Sequence, residues 1–165
     1  MMDQQEGGYV LNIKDAAWKG HDRFGRSANL ERGERFSDVG IHLFMLTPGN
    51  PNCRYHRESA QENFLVLSGS CKLLMNETER QLAVWDFVHC PPGVSHVLVG
   101  TGDSPAVVLA IGHRQGAEHE LYYPASELAA KYGAQAPEPT PDPRVAYGDV
   151  EPATPIDCPQ EWPPR

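Results

Sequence analysis

The chain has 165 residues, a length that points to one domain with enough residues to bury a core. Hydrophobic residues make up 40% and charged residues 22%, and a net charge of -8 offers no basic face to nucleic acid or anionic lipid. No apolar run reaches the roughly 18 residues of a membrane span, and the acidic start M-M-D-Q-Q-E-G-G lacks a signal peptide's basic-then-apolar order. A cytoplasmic protein is expected, with neither nucleic acid nor membrane as partner.

Residues 1–38 read as an N-terminal arm. Tyr9 to Ile13 is a candidate edge strand, Trp18 and Phe24 are candidate anchors, and no sustained helical or strand period appears. From Val39 the pattern changes. The apolar run Val39 to Thr47 closes on Pro48-Gly49, which predicts a buried strand and a turn. Further strands are predicted at Glu62–Ser68, Cys71–Met75, Gln81–Trp85, Phe87–Cys90, Val94–Val99, Ala106–Ile111 and Glu120–Tyr123. Many short strands separated by Gly and Pro, without βαβ alternation, predict an all-β barrel or sandwich over residues 39–123.

One helix is predicted. Ser126 to Gly133 has a capping serine, an acidic first turn, good helix formers and a stop glycine. It is expected to cover one end of the barrel. Residues 134–165 then hold nine prolines and six acids against two arginines. Proline removes a donor and fixes φ, so neither a helix nor a central strand is expected in this acidic tail. Val145, Tyr147, Ile156 and Trp162 are spaced as anchors that would strap it, extended, along the barrel.

The chemistry concentrates in two stretches. Arg54 to Gly69, R-Y-H-R-E-S-A-Q-E-N-F-L-V-L-S-G, holds His56, Glu58 and Glu62, and Asp86 to His96, D-F-V-H-C-P-P-G-V-S-H, supplies His96. Two imidazoles and two carboxylates are the ligand types of a divalent metal. On a strand, residues two apart share a face, which groups His56 with Glu58, Glu62 with Phe64 and Val66, and His96 with Leu98. If those faces line one barrel interior, the four polar groups need a cation to compensate their burial. Phe64, Val66 and Leu98 are then apolar pocket lining. Arg54 shares parity with His56 and is a candidate contact for an anionic substrate, a plain surface arginine being the alternative.

His42, His89 and His113 read as structural histidines. Cys53 and Cys90 read as small packing residues, and no C-x-x-C spacing suggests a zinc finger or redox pair. Glu58 has three readings of its own: a metal ligand, a general base with a pKa raised by burial, or a solvated or salt-bridged rim residue.

These stretches resemble the cupin family. Gly49, His56, Glu62 and Gly69 fit its first motif, and Pro91, Gly93 and His96 fit the P-x-G-x-x-H that ends its second. The resemblance covers about residues 39–113 and implies a double-stranded β-helix, a small jelly roll, with a metal inside one end. Glu58 stands where the family usually has a second histidine, Trp85-Asp86 where Gly-Asp is common, and Gly100 where asparagine is frequent. The site is then either His56, Glu58, Glu62 and His96, or a trio of two histidines and one carboxylate, the set found in non-haem Fe(II) oxygenases. Iron, manganese, zinc or nickel would suit it. The expectation is a metal-dependent enzyme, dioxygenase- or isomerase-type, acting on a small polar metabolite as a homodimer. The alternative is a non-catalytic small-ligand module.

Overall fold

Strand propensity and turn chemistry decide the architecture. The computed structural model of the protein describes residues 8–164, so the N-terminal octet read above lies, Gly8 apart, outside the described residues. In chain order the strands are β1 (Ala17–His21), β2 (Gly25–Asn29), β3 (Val39–Leu46), β4 (Arg57–Glu58), β5 (Glu62–Ser68) and β6 (Ser70–Met75). They continue as β7 (Thr78–Leu82), β8 (Phe87–Cys90), β9 (His96–Thr101), β10 (Ala106–His113), β11 (Leu121–Tyr122) and β12 (Thr154–Ile156). Two short helices, α1 (Glu127–Lys131) and α2 (Pro143–Ala146), lie between β11 and β12. Among the described residues no helix is long and apolar enough to cross a membrane.

The strands form a seven-stranded sheet ordered β12-β1-β2-β3-β10-β5-β8, a three-stranded sheet ordered β7-β6-β9, and a two-residue ladder β4-β11. All named strand pairings are antiparallel. The sheets face one another across a shared core that includes Leu46, Phe64, Val66, Leu73, Leu98 and Val108. Phe64, Val66 and Leu98, predicted as lining, are 3%, 0% and 0% exposed.

Both sheets are also covered on their outer faces, which explains apolar runs where a half-exposed strand would alternate. Helix α1 brings Ala129, Leu128 and Tyr132 against Leu74, Val97 and Val99 of the three-stranded sheet. The helix forms as expected, with Ser126 accepting a hydrogen bond from the Ala129 N–H at 2.9 Å. It covers a sheet face and not a barrel end. On the other side, Trp18, Leu43, Met45 and Val107 pack beneath Trp162 and Cys158 from the C-terminus.

Two regions depart from expectation. Residues 8–38 are no irregular arm: β1 and β2 extend the main sheet beside β3. Tyr9–Asn12 forms no strand, and Ile13–Asp15 is a single 3-10 turn. The strand signal was hidden because β1 and β2 are rich in Gly, Lys, Arg and Ser, and only Trp18, Gly25 and Ala28 are buried in them. The tail is not wholly extended either. Asp142 caps α2 from its side chain and Pro143 occupies the first turn, where its missing N–H costs nothing. β12 is an edge strand, the place where a sheet tolerates Pro155.

One strand is shifted. Asn76 and Glu77 take positive φ of 46° and 62° and make the turn alone, so β7 begins at Thr78 and not at Gln81. Two glycines are obligatory. Gly69 turns with φ of 70°, where a Cβ would lie 2.9 Å from the Pro105 carbonyl, and a Cβ on Gly100 would overlap the Thr47 carbonyl.

Candidate metal centre

Backbone pairing sets the site. His56 and His96 face each other in an isolated antiparallel bridge and exchange both backbone hydrogen bonds, His96 N–H to His56 O at 2.8 Å and the reverse at 3.3 Å. Directly opposed residues put their side chains on one face, and the two imidazole centroids are 5.0 Å apart. Glu62 opens β5 between Gly112 and Cys90 and reaches the same place. Its Oε2 is 2.7 Å from His96 Nε2 and 3.6 Å from His56 Nε2.

The tautomers follow from the backbone. His56 Nδ1 lies 2.8 Å from the Arg54 carbonyl and His96 Nδ1 3.0 Å from the Val94 carbonyl. A carbonyl only accepts, so each Nδ1 carries the hydrogen and each Nε2 turns a lone pair to the Glu62 carboxylate. Acceptors this close need a shared cation or an added proton. For bonds of about 2.1 Å at right angles, ligand atoms sit about 3 Å apart, and 2.7 and 3.6 Å bracket that separation. The donor set thus fits a divalent metal, each imidazole oriented by a carbonyl behind it as metal-binding histidines require. Among the described residues, His56, Glu62 and His96 are the group whose ligand atoms all lie within 4.8 Å of one another.

Glu58 stands beside this triplet. Its Oε2 is 2.7 Å from His119 Nε2, and Glu62 is the charged neighbour on its other side. Burial foremost, then the Glu62 carboxylate, pushes the Glu58 carboxyl up to about 8. Burial alone would raise Glu62 as well, but the His56 and His96 rings, once protonated, and the Glu58 carboxyl outweigh it and hold Glu62 well below the usual carboxylate range. Burial opposes charge on His56, yet the Cys53 sulfur and Glu62 keep that ring well above its ordinary value. Glu58 is therefore the proton-holding member of the carboxyl pair.

His119 had no signal in the sequence. It sits in a polar segment after a 3-10 turn and is delivered only because β11, two residues on, pairs with β4 and sets Leu121 opposite Glu58. Tyr123 was missed likewise; its ring centroid is 5.9 Å from that of His56. Arg57, Glu58, His119 and Tyr122 line a cavity of about 570 Å³.

Arg54 goes elsewhere. It is 1% exposed, and its guanidinium turns into the C-terminal tail, donating to the carbonyls of Ala146 at 3.1 Å and Gln135 at 2.6 Å and pairing with Asp149. Cys53 packs beside Tyr55 and also touches His56, with Sγ 3.7 Å from Nδ1. Burial pushes the Cys90 thiol up to about 12, as suits an inert packing residue. His89 is held by Asn63 at 2.7 Å.

Known proteins share this fold. Residues 42–112 match the family model of the Cupin domain. A candidate sugar phosphate isomerase from Acidithiobacillus ferrooxidans is 29% identical with a TM-score of 0.52, the match covering 58% of this chain and 64% of that one. A sugar phosphate isomerase of the cupin superfamily from Silicibacter pomeroyi is 22% identical with a TM-score of 0.63, over 72% of this chain and 83% of that one. The DMSP lyase DddQ from Ruegeria pomeroyi is 23% identical with a TM-score of 0.53, over 68% and 64%. The chain has no significant match among curated proteins. With both motifs folded into facing sheets around a His-Glu-His cluster, residues 42–112 match the Cupin domain and the fold is that of cupin structures.

Proposed function

We propose that this protein is a metal-dependent enzyme that moves a proton within a small polar metabolite, an isomerase-type reaction. The observation that carries this reading is the Glu58–His119 pair, which lines a cavity and whose carboxyl is raised by burial and by the neighbouring Glu62 of the triplet. His56, Glu62 and His96 would hold the ion, and Glu58 has the role of general acid and base. A divalent cation held there supplies a Lewis acid to a bound substrate oxygen. Glu58, with a pKa near the working pH, takes a proton from a substrate carbon and returns it to the neighbouring one. His119 orients that carboxyl, and Arg57 and Tyr122 border the space where the substrate sits. The sugar phosphate isomerases among the similar structures support trying hydroxy-aldehyde and hydroxy-ketone phosphates first.

The test is exchange of substrate C–H for solvent deuterium, followed by NMR on protein loaded with Mn, Fe, Zn or Ni. Wild type should exchange and Glu58→Gln should lose at least about 100-fold, the scale of a general base. Oxygen consumption without exchange would replace this reading with the dioxygenase type, which the two-His, one-carboxylate set also suits. His96→Ala should lose the metal. Wild type that takes up none of the four ions would leave a small-ligand-binding barrel and no enzyme.

We also propose that the protein works as a homodimer in the cytoplasm. The four cysteines are unpaired, which suits a reducing compartment. Trp85 and Phe87, 72% and 66% exposed at the open β8 edge, give a dimer an apolar surface. A monomer mass in solution scattering refutes that assembly.

A further inference from the structure

We infer that the C-terminal tail is a working part of the metal centre, and that Arg54 is the positioning residue through which it acts on His56. The inference rests on the metal reading above and deepens it. Arg54 stands two residues before His56, and its carbonyl accepts the His56 Nδ1–H at 2.8 Å. That contact fixes which nitrogen faces inward. The remaining hydrogen bonds of Arg54 all go to residues 133–149. Its backbone N–H donates to the Tyr147 hydroxyl at 3.1 Å, Nε to the Ala146 carbonyl at 3.1 Å, and Nη1 to the Gln135 carbonyl at 2.6 Å and the Gly133 carbonyl at 3.4 Å. Nη2 pairs with Asp149, which also binds Arg23. The guanidinium lies 5.3 Å from the Phe24 ring centroid and 5.9 Å from that of Tyr147.

The geometry is a clamp. Residues 133–149 wrap a planar fork with fixed donor directions, and five donors in fixed positions leave the Arg54 main chain little freedom. The peptide carrying the His56 hydrogen-bond acceptor is thereby held by a segment about 80 to 95 residues further along the chain. A second route runs through rings: Tyr147 packs edge-on against Tyr123 at 5.9 Å, and Tyr123 against His56 at 5.9 Å. Partners behind a metal-bound histidine typically change affinity 10- to 100-fold when removed. The tail thus sets ligand geometry from outside the barrel.

The variants that test this are Tyr147→Phe, which keeps the ring and removes the hydroxyl, and Asp149→Asn, which removes the charge. Two readouts are needed on the purified full chain. The first is the His56 tautomer in metal-free protein, by 15N NMR of the imidazole nitrogens at a pH high enough to leave the ring neutral. The second is affinity for Co2+, used as a spectroscopic probe, by titration. Both variants should lose the single Nδ1–H state and bind Co2+ about tenfold more weakly. Asp149→Glu should restore both. A fall in melting temperature with tautomer and Co2+ affinity unchanged would make the tail merely structural and overturn the inference. If wild type binds no Co2+ or other ion, the metal reading falls alone; the tautomer still decides whether the tail positions His56.

Discussion

The strands from Val39 to His113 and the tail over residues 134–164 pack against one another, yet they are held by different kinds of information. In the barrel, each residue's role follows from its neighbours: apolar runs between turns make strands, and residues two apart share a face. In the tail, each anchor depends on a partner far away in sequence. Tyr147 meets Arg54, Ile156 pairs with Trp18, and Trp162 packs on Trp18 at 5.6 Å. Proline-rich composition describes what such a segment cannot form by itself; it does not describe what another part of the chain will hold in place.

The largest effect expected from breaking this contrast is at Arg54. Arg54→Ala would leave the carbonyls of Ala146, Gln135 and Gly133 without their donor and empty a fully buried site. At about 1–3 kcal/mol for each unsatisfied buried group, unfolding in denaturant should show a loss of at least about 3 kcal/mol. That would rank it with Leu98→Ala in the barrel core, expected at about 2–5 kcal/mol. Arg54→Lys should recover little, because an ammonium cannot make the fork. A loss below about 1 kcal/mol would return the tail to the status of a loose strap.

A second measurement sharpens the contrast inside the barrel, where burial and not distance creates the unusual chemistry. Glu58, pushed up to about 8, binds its proton more tightly folded than unfolded. Its contribution to stability is therefore fully present below about pH 4.5 and lost as pH rises towards 8. Glu62 is shifted the opposite way, so its contribution is lost only as pH falls below about 4.5. His56, held above its ordinary value of 6.5, adds a loss of its own above that pH. His42, lowered chiefly by burial, gains stability as pH rises towards 6.5. The difference between wild type and Glu58→Gln isolates Glu58: metal-free wild type should lose melting temperature relative to the variant between pH 4.5 and 8. Parallel curves would mean the Glu58 carboxyl is not held protonated.

The same division decides what could be read from sequence. Strands β3, β5 and β8 were legible nearly to the residue because apolar runs and Pro-Gly stops are local signals. The convergence of His56, Glu62 and His96 was legible from motif spacing and strand parity. Parity failed for Arg54, because Arg54 and His56 are not in a continuous strand, and backbone alternation carries no weight there. Strands β1 and β2 were illegible because their exposed face is polar and glycine-rich. Of the four tail anchors, Tyr147 and Trp162 pack as expected; Ile156 joins β1 by strand pairing but is 36% exposed, and Val145 is 37% exposed with its neighbour Ala146 the buried one. His119 is the clearest case: nothing local marks it, and only the β4–β11 pairing brings it to Glu58.

The smallest effect tests a place where the barrel breaks its own local rule. Trp85 has a φ of 74°, a left-handed conformation that costs a bulky residue about 1–2 kcal/mol. Its peptide N–H still reaches the Val66 carbonyl at 2.8 Å, so the turn itself is satisfied. The indole is 72% exposed and contributes little to the core of an isolated chain. Trp85→Gly would relieve the strain and return about 0.5–1 kcal/mol through the greater freedom of the unfolded chain. Net stabilisation of up to about 1 kcal/mol is expected if the protein unfolds as a monomer. A destabilisation that grows with protein concentration would instead show that the strained indole is kept for contact between two copies at the β8 edge. A concentration-independent loss above about 1 kcal/mol would mean that the indole stabilises the turn within its own chain, and the strain argument would be wrong.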